Sequence, residues 1–244
     1  MPEAGIFSVT PHVIIFDFGK TIHDFELDLF FNWLQDISRV RRHHFWDIFS
    51  RYPDGLLYNY ECGEATAHFI ARVREAMQEL RVQLRRESIT MLLPNFTDEE
   101  FLSSWTTILD ATPVFEDRLD LMRKLKSRGY ELYVLSNINK SQLSYVKNDS
   151  RFAEIFSLVK RFIASCDNGI ACRKTRFSGN NREECEKIFW KTLAITKSTP
   201  PETVYIDDIL DYVEVFRAVG GHGIHHTGSW TKIEAELYKL GVRW

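Results

Sequence analysis

The stretch PHVIIFDFGKTIH, residues 11–23, decides the fold. Its apolar run from Val13 to Phe16 has the length of a buried parallel strand, and it stops at the carboxylate of Asp17. Gly19-Lys20-Thr21 matches the end of a phosphate-binding P-loop, but that loop also needs a glycine where Ile14 stands inside the strand. We therefore interpret the stretch as a strand followed by an acid-bearing turn.

Further apolar runs and helical patterns alternate along the second half of the chain. The runs are Glu131 to Leu135, Val159 to Ala164, Thr203 to Ile206 and Gly223 to His225. The helical patterns are Arg118 to Arg128, Lys140 to Lys147, Cys185 to Thr192 and Leu210 to Val219. This alternation predicts an α/β fold with a doubly wound, Rossmann-like parallel sheet.

The first two strands are separated by a long segment with helical spacing and no convincing strand. Its helical patterns are Phe25 to Val40, Phe45 to Arg51, Thr66 to Arg86 and Asp98 to Leu109. We predict an all-α cap domain at residues 24–112, inserted into a core domain made of residues 1–23 and 113–244. Since the insertion follows the carboxyl end of the first strand, we expect it to lie over the ligand crevice of the sheet.

The composition excludes several classes of protein. The chain has 244 residues, 44% of them hydrophobic, and a formal net charge of -3. This charge gives no reason to expect nucleic acid, and we interpret the basic stretch Arg81 to Arg86 as a solvated helix face. The four cysteines have no zinc-type spacing. The N-terminus resembles no signal peptide, and no apolar run is long enough to span a membrane, so we expect a cytoplasmic protein with no membrane partner.

Polar side chains follow three of the predicted strands. Asp17 follows the first, Ser136-Asn137 the second and Asp207-Asp208 the fourth. The carboxyl ends of parallel strands meet at one edge of the sheet, and carboxylates brought together repel unless a divalent cation such as Mg²⁺ binds them. Two structural alternatives stay open: Asp17 could cap the following turn, and Asp207-Asp208 could cap the helix that begins near Leu210.

These motifs together resemble those of the haloacid dehalogenase superfamily, whose hydrolases use an aspartate nucleophile. The resemblance lies in VIIFDFGKTI (13–22), YELYVLSN (130–137), TVYIDD (203–208) and GGHGIHHTG (220–228), and so spans nearly the whole chain. The segment YECGEAT (60–66) is similar to the small α-helical, C1-type cap of the branch that includes sugar-phosphate phosphatases and the phosphatase domain of soluble epoxide hydrolases.

The resemblance implies a role for each matching residue. Asp17 would be the nucleophile that becomes a phospho-aspartate, and Lys174, with Arg173 as the alternative, would balance the charge on nucleophile and phosphate. The implied phosphate-binding residues are Thr21, Ser136, Asn137 and Lys174. The implied Mg²⁺ ligands are Asp17, the main-chain carbonyl of Gly19, and Asp208, with Asp207 beside it.

The chain departs from the family pattern at three places. Phosphatases of the family have a second Asp at the position of Gly19, where it protonates the leaving group and then activates water. Loss of a general acid or base typically costs about 10²–10⁴-fold in rate, so we expect slow turnover of alkyl phosphates and a preference for aryl or acyl phosphates. The loop that leads to Lys174 is longer than in the family, and Tyr212 stands where an Asn or Asp often supports the metal site.

We therefore predict a Mg²⁺-dependent phosphohydrolase whose substrate is a small phosphorylated metabolite. One alternative is a catalytically impaired binding or regulatory protein, which Gly19 favours. Another is a 2-haloacid dehalogenase, which needs no metal, although Asp207-Asp208 would repel its carboxylate substrate. His222, His225, His226 and the pair His43-His44 are expected to be hydrogen-bonded or exposed and not to bind metal. The sequence predicts neither the substrate's identity nor the oligomeric state.

Overall fold

The computed structural model describes residues 10–50, 55–110 and 114–244. Within these residues, parallel strands form one five-stranded sheet in the order β3-β2-β1-β4-β5. The strands are β1 (Val13–Phe16), β2 (Glu131–Ser136), β3 (Arg161–Ala164), β4 (Thr203–Asp207) and β5 (His222–His225). The order reverses at β1, which pairs with β2 on one side and β4 on the other, and open α/β sheets bind ligands at such a position.

Helices surround the sheet and fill the segment between β1 and β2. Those between β1 and β2 are α1 (Leu27–Ser38), α2 (His43–Ser50), α3 (Leu56–Glu61), α4 (Thr66–Arg86), α5 (Asp98–Asp110) and α6 (Glu116–Ser127). The later ones are α7 (Lys140–Asn148), α8 (Ala153–Leu158), α9 (Arg182–Thr196), α10 (Leu210–Ala218) and α11 (Trp230–Lys239), with short 3-10 turns at Ser150–Phe152 and Pro200–Glu202. None of the described helices combines the length and the apolarity that crossing a membrane requires.

The central strand is buried on both faces, which explains its unbroken apolar sequence. Because side chains alternate along a strand, Ile14 and Phe16 join one hydrophobic cluster, while Val13 and Ile15 join the other. The first cluster continues into the helical insertion, and the second includes residues of α9 and α10. The sheet is therefore covered on both sides, as a doubly wound fold requires.

The part of the first cluster that lies in the insertion is rich in aromatic rings. The Phe30 ring of α1 packs edge-to-face against Trp105 of α5, with centroids 4.7 Å apart, and against Phe49 of α2 at 5.3 Å. Tyr60 of α3 stacks on Phe69 of α4 at 3.8 Å. These contacts hold the helices between β1 and β2 together through large buried rings.

The predicted α/β core with an all-α insertion is confirmed. The division into domains stays a prediction: its boundary at residues 112 and 113 lies outside the described residues, as do residues 1–9 of the predicted core and Arg51, the predicted end of a helix. Helices α3 and α8 were not predicted, because six residues are too short to show a periodic pattern. Helix α11 was also missed, although its buried Trp230, Ile233 and Leu237 have helical spacing.

Candidate active site

The sheet itself fixes the positions of two carboxylates. Asp17 follows β1 directly, and its main-chain N–H donates to the carbonyl of Ile206 at 2.8 Å. Asp207 ends β4, and its carbonyl accepts from the N–H of His226 at 2.8 Å. Both side chains are buried. The neighbouring strands therefore bring these acids to the same edge.

Asp17, Asp207 and Asp208 form one cluster, in which one carboxylate oxygen from each residue lies within 4.8 Å of those of the other two. The Lys174 ammonium connects two of them, because Nζ donates to Asp17 Oδ1 at 2.5 Å and to Asp207 Oδ2 at 2.7 Å. Asp207 also accepts from the Tyr205 hydroxyl and, through Oδ1, from the N–H of Ile209 at 2.7 Å. Both oxygens of Asp207 thus accept hydrogen bonds, which leaves Asp17 Oδ2 and the Asp208 carboxylate more available as ligands for a cation.

The cluster holds excess negative charge in a buried place. Burial raises the pKa of Asp17 to about 8; Lys174 opposes this shift, and the Asp207 carboxylate adds to it. Burial and Asp207 also raise the pKa of Asp208. Burial acts to lower the pKa of Lys174, but Asp17 and Asp207 outweigh it and the net shift is upward. With all groups ionised, three carboxylates and one ammonium leave two negative charges for a proton or a cation to neutralise.

Asn137 holds Lys174 in this position. Its side-chain oxygen accepts from the Lys174 N–H at 2.7 Å, and its side-chain nitrogen donates to the Lys174 carbonyl at 3.0 Å. The longer loop therefore still delivers Lys174 to the cluster, whereas Arg173 pairs with Glu61 at 2.8 Å. The geometry gives Asn137 a positioning contact, and its predicted contact with phosphate stays a prediction.

The two predicted hydroxyl donors differ in their surroundings. Ser136 lines a cavity of about 520 Å³ together with Asp17, Lys174 and Asp208. Thr21 is fully buried, does not line that cavity, and its hydroxyl has no hydrogen-bond partner among the described residues. Ser136 is therefore the hydroxyl that a ligand in the cavity reaches directly.

Phe25 occupies the space beside Gly19. A Cβ atom added at Gly19 would lie 2.7 Å from Cε1 of the Phe25 ring, well inside van der Waals contact. The ring is flanked by Lys20, whose Nζ lies 5.5 Å from the ring centroid and 3.8 Å from Asp24. The turn hydrogen bonds use the carbonyls of Phe18 and His23, which leaves the Gly19 carbonyl without a main-chain partner in the described chain. An apolar ring thus stands where the side chain of the family's second Asp would begin.

Helix α3 of the insertion contacts the sheet side of the cavity. The Ser165 hydroxyl donates to the Glu61 carbonyl at 2.6 Å, and the Tyr60 hydroxyl lies 2.7 Å from that of Ser141. The Tyr58 hydroxyl donates to Glu184 of α9. Burial raises the pKa of the Glu61 carboxyl, and the Arg173 guanidinium opposes that shift. The insertion therefore forms one wall of the cavity, as expected from its place after β1.

Among the described residues, the remaining candidates contribute no ligand atom to the carboxylate cluster. His222 and His225 donate from Nε2 to the carbonyls of Pro201 and Asp208, at 3.1 and 3.0 Å. His226 is buried against Trp230, with ring centroids 5.0 Å apart, and burial lowers its pKa. His43 and His44 lie against each other in α2, with ring centroids 4.0 Å apart. Tyr212 places its ring 5.2 Å from Lys174 Nζ and thus contributes an aromatic wall.

Sequence reasoning did not identify Phe25 or Glu61 as site residues. Phe25 is brought back to Gly19 by the turn after β1, which no residue spacing indicates. Glu61 lies in the YECGEAT segment, which resembles part of the family's small α-helical cap. This resemblance was the one signal in the sequence that could have identified Glu61 as a site residue.

Comparisons with known proteins agree with this architecture. A family model described as haloacid dehalogenase-like hydrolase matches residues 11–220. A HAD family enzyme of Bacteroides thetaiotaomicron, solved with magnesium and inorganic phosphate, aligns with a TM-score of 0.66 and 20% identity over 91% of this chain and 98% of its own. A predicted HAD-like family hydrolase of Porphyromonas gingivalis gives a TM-score of 0.64 and 19% identity, over 94% and 98% of the two chains.

A 2-haloacid dehalogenase of Pseudomonas syringae pv. Tomato is also similar, with a TM-score of 0.56 and 12% identity over 94% of this chain and 99% of its own. At such identities these likenesses show a shared fold. The choice of reaction therefore depends on the residues of the cavity.

Proposed function

We propose that this chain, which belongs to the haloacid dehalogenase-like hydrolase family, is a Mg²⁺-dependent phosphohydrolase that acts through a phospho-aspartate at Asp17. The main support is the cluster of Asp17, Asp207 and Asp208, in which Lys174 contacts the first two. A buried carboxylate beside a lysine and a candidate metal site suits attack on a phosphoryl group.

The residues present suit a magnesium ion. They offer oxygen ligands only, which this hard cation prefers, and their two excess negative charges match its charge. Asp17 and Asp208 would hold the ion with the Gly19 carbonyl, while Asp207 keeps Lys174 in place. The bound ion would draw negative charge away from the phosphoryl oxygens and orient them. A HAD family enzyme of Bacteroides with a similar fold was solved with magnesium and inorganic phosphate, which supports magnesium as the ion and phosphate as the bound group.

The chain's own residues supply the nucleophile and the contacts to the phosphoryl oxygens, while solvent takes part in the second step. A carboxylate oxygen of Asp17 attacks phosphorus, and the bond from phosphorus to the leaving-group oxygen breaks with its electron pair on that oxygen. Lys174 and Ser136 stabilise the negative charge on the phosphoryl oxygens. Water then attacks phosphorus, the Asp17 carboxylate is released, and the proton of the water passes to phosphate or solvent.

Gly19 and Phe25 limit which substrates this site can turn over. The Phe25 ring offers no proton to a departing alkoxide, and it fills the place from which the family's second Asp would do so. Aryl and acyl phosphates have leaving groups that depart as stable anions. We therefore expect the enzyme to prefer them over alkyl phosphates.

The same contact favours a second candidate function, a protein that binds a phosphorylated ligand without turning it over. The Phe25 ring fills the space of the family's acid, as expected for a protein that keeps the fold and the binding site but no longer needs an acid for turnover. A dehalogenase is less well supported, because a carboxylate substrate would meet three clustered carboxylates.

We also propose a small phosphorylated metabolite as the ligand and the cytoplasm as the location. A cavity of about 520 Å³ has the size of a small-molecule site. The four cysteines are free thiols, as a reducing compartment favours.

A substrate panel tests these alternatives. The purified protein is given p-nitrophenyl phosphate, acetyl phosphate and glycerol phosphate, each with and without Mg²⁺, and released phosphate is measured. We expect Mg²⁺-dependent turnover of the first two and slower turnover of the alkyl ester by about 10²-fold or more. Binding of phosphate with Mg²⁺ but no turnover would favour the binding protein, and Mg²⁺-independent release of halide from a 2-haloacid would favour the dehalogenase.

A further inference from the structure

A second chamber opens beside the catalytic cavity. It measures about 630 Å³ and shares with that cavity the residues Leu27, Trp46, Arg173, Lys174, Ile209 and Tyr212. Lys174 also contacts Asp17 at 2.5 Å, so the phosphoryl group of a bound substrate, placed for attack by Asp17, lies next to the wall that the two spaces share. A leaving group attached to that phosphoryl group can therefore extend into the chamber.

The chamber has the opposite charge character to the catalytic cavity. Its described lining includes three cations, Arg173, Lys174 and Arg176, and no carboxylate. The described lining of the catalytic cavity includes the carboxylates Asp17, Asp24, Glu26, Asp28, Glu61 and Asp208. A ligand that carries a negative charge away from its phosphate would thus place that charge in the chamber.

The arginines keep donors for such a charge. Arg173 pairs with Glu61 at 2.8 Å, and its Nε–H is buried without a hydrogen-bond partner in the described chain. Arg176 is largely exposed and lies 3.4 Å from Asp211. Because a guanidinium has five N–H donors, one carboxylate partner does not exhaust either side chain. Arg173 is therefore the inner anion contact and Arg176 the outer one.

Aromatic rings form the other surfaces of the chamber. Trp46 of α2 and Phe177, in the loop after β3, are 49% and 45% exposed although both rings are large and apolar. Tyr58 and Tyr212 also line the chamber, and the Arg173 guanidinium lies 5.9 Å from the centroid of the Tyr58 ring. Exposed rings from separate segments of the chain provide faces on which a flat ligand ring can stack.

We propose that this chamber binds the leaving group of the substrate, a flat aromatic ring that bears a carboxylate or similar anion. The substrate class is then the anionic aryl phosphates, an assignment that rests on the proposed phosphohydrolase function. The lining of the chamber and the Phe25 ring at Gly19 are separate observations that lead to the same class. A phenolate departs with the electron pair of the broken P–O bond and takes up a proton from solvent afterwards, so it needs no acid at Gly19.

The charge preference is tested by binding, apart from turnover. Calorimetry with Mg²⁺ compares 4-carboxybenzylphosphonate with 4-carbamoylbenzylphosphonate, which has the same shape but no charge on the ring. We expect the carboxylate to bind about 10- to 100-fold more tightly. Equal affinities for wild-type protein would overturn the proposal.

Variants locate the preference in the chamber. Arg173→Gln should bring the two affinities close together. Arg176→Gln, whose side chain is largely exposed, should reduce the preference several-fold. Arg182→Gln is the charge-matched control, since that side chain is 69% exposed, pairs with Glu186 and does not line the chamber. A preference that both chamber variants retain in full would contradict the assignment.

The ring contact has its own test. Trp46→Ala should weaken both benzylphosphonates and leave methylphosphonate, which has no ring, unchanged; equal weakening of all three ligands would argue against stacking. Turnover of 4-carboxyphenyl phosphate is then measured separately. Selective binding without turnover would refute the proposed phosphohydrolase function and support the chamber's specificity. Turnover without selective binding would support the phosphohydrolase function and refute the chamber's specificity.

Discussion

The catalytic cavity and the neighbouring chamber are built in different ways. The clustered carboxylates Asp17, Asp207 and Asp208 stand at the ends of parallel strands, and main-chain hydrogen bonds of the sheet fix this edge, such as the bond of 2.8 Å from the Asp17 N–H to the Ile206 carbonyl. The chamber is assembled from the starts of α1 and α10, from α2 and α3, and from the loop after β3, and side-chain contacts such as Arg173 with Glu61 join two of these segments. If the proposed function holds, the sheet positions the reacting carboxylates, while segments outside it select the leaving group.

The largest effect is expected from Asp17→Asn, which removes the proposed nucleophile and leaves the lining of the chamber unchanged. Turnover of p-nitrophenyl phosphate should fall by at least about 10⁴-fold, in the range of other lost nucleophiles. The thermal melting temperature in EDTA near neutral pH should stay the same or rise, because the neutral amide removes the cost of burying an ionisable carboxyl group beside Asp207. Asp98→Asn is the matched control, since its carboxylate is exposed and pairs with Arg74 far from the cluster. Substantial activity in a folded Asp17→Asn protein would contradict the nucleophile assignment.

The difference between the two regions also explains what the sequence could predict. Strands β1, β2 and β4 and the acids at their ends follow from apolar runs that stop at polar residues, so the α/β core and the grouping of Asp17 with Asp207-Asp208 were accessible. The contact between Phe25 and Gly19 could not be predicted from the sequence, because it depends on the path of a turn. The pairing of Glu61 with Arg173 depends on how the insertion packs, which neither residue's neighbours in sequence reveal.

The second prediction concerns the boundary between the regions, where Gly19 meets Phe25. Gly19→Asp alone should not improve turnover of glycerol phosphate, because the new Cβ would clash with the ring at 2.7 Å. Gly19→Asp combined with Phe25→Ala clears that space, and a correctly placed acid should raise alkyl-ester turnover by about 10²–10⁴-fold. The ratio of turnover of glycerol phosphate to that of p-nitrophenyl phosphate measures the effect.

Gly19→Ala with Phe25→Ala is the control for that pair, since it adds the same Cβ without a carboxylate. It should leave the ratio of alkyl to aryl turnover near that of Phe25→Ala alone. If this control matches the acid-bearing pair, the gain comes from space and not from proton transfer.

The smallest expected effect is a pH dependence that the catalytic cavity should show and the chamber should not. In the metal-free protein the pKa of Asp17 is raised to about 8 from an ordinary value of 3.8, mainly by burial, so the folded state binds this proton more tightly than the unfolded state does. The stability that it contributes is fully present below the ordinary value and is lost as pH rises through about 8. In EDTA, the melting temperature should therefore decline with rising pH across this window, and Asp17→Asn should reduce the decline.

Magnesium must displace the same proton to reach the Asp17 carboxylate. Its affinity, measured by calorimetry, should rise by about tenfold per pH unit below the Asp17 pKa and level off above it. In Asp17→Asn a shallower dependence should remain, because burial and Asp207 also raise the pKa of Asp208.

The chamber should behave differently, since guanidinium groups stay charged throughout this range. The preference for the carboxylated benzylphosphonate should accordingly be flat with pH where Mg²⁺ affinity is steep, and parallel changes in both would show that the cavity and the chamber are not independent sites.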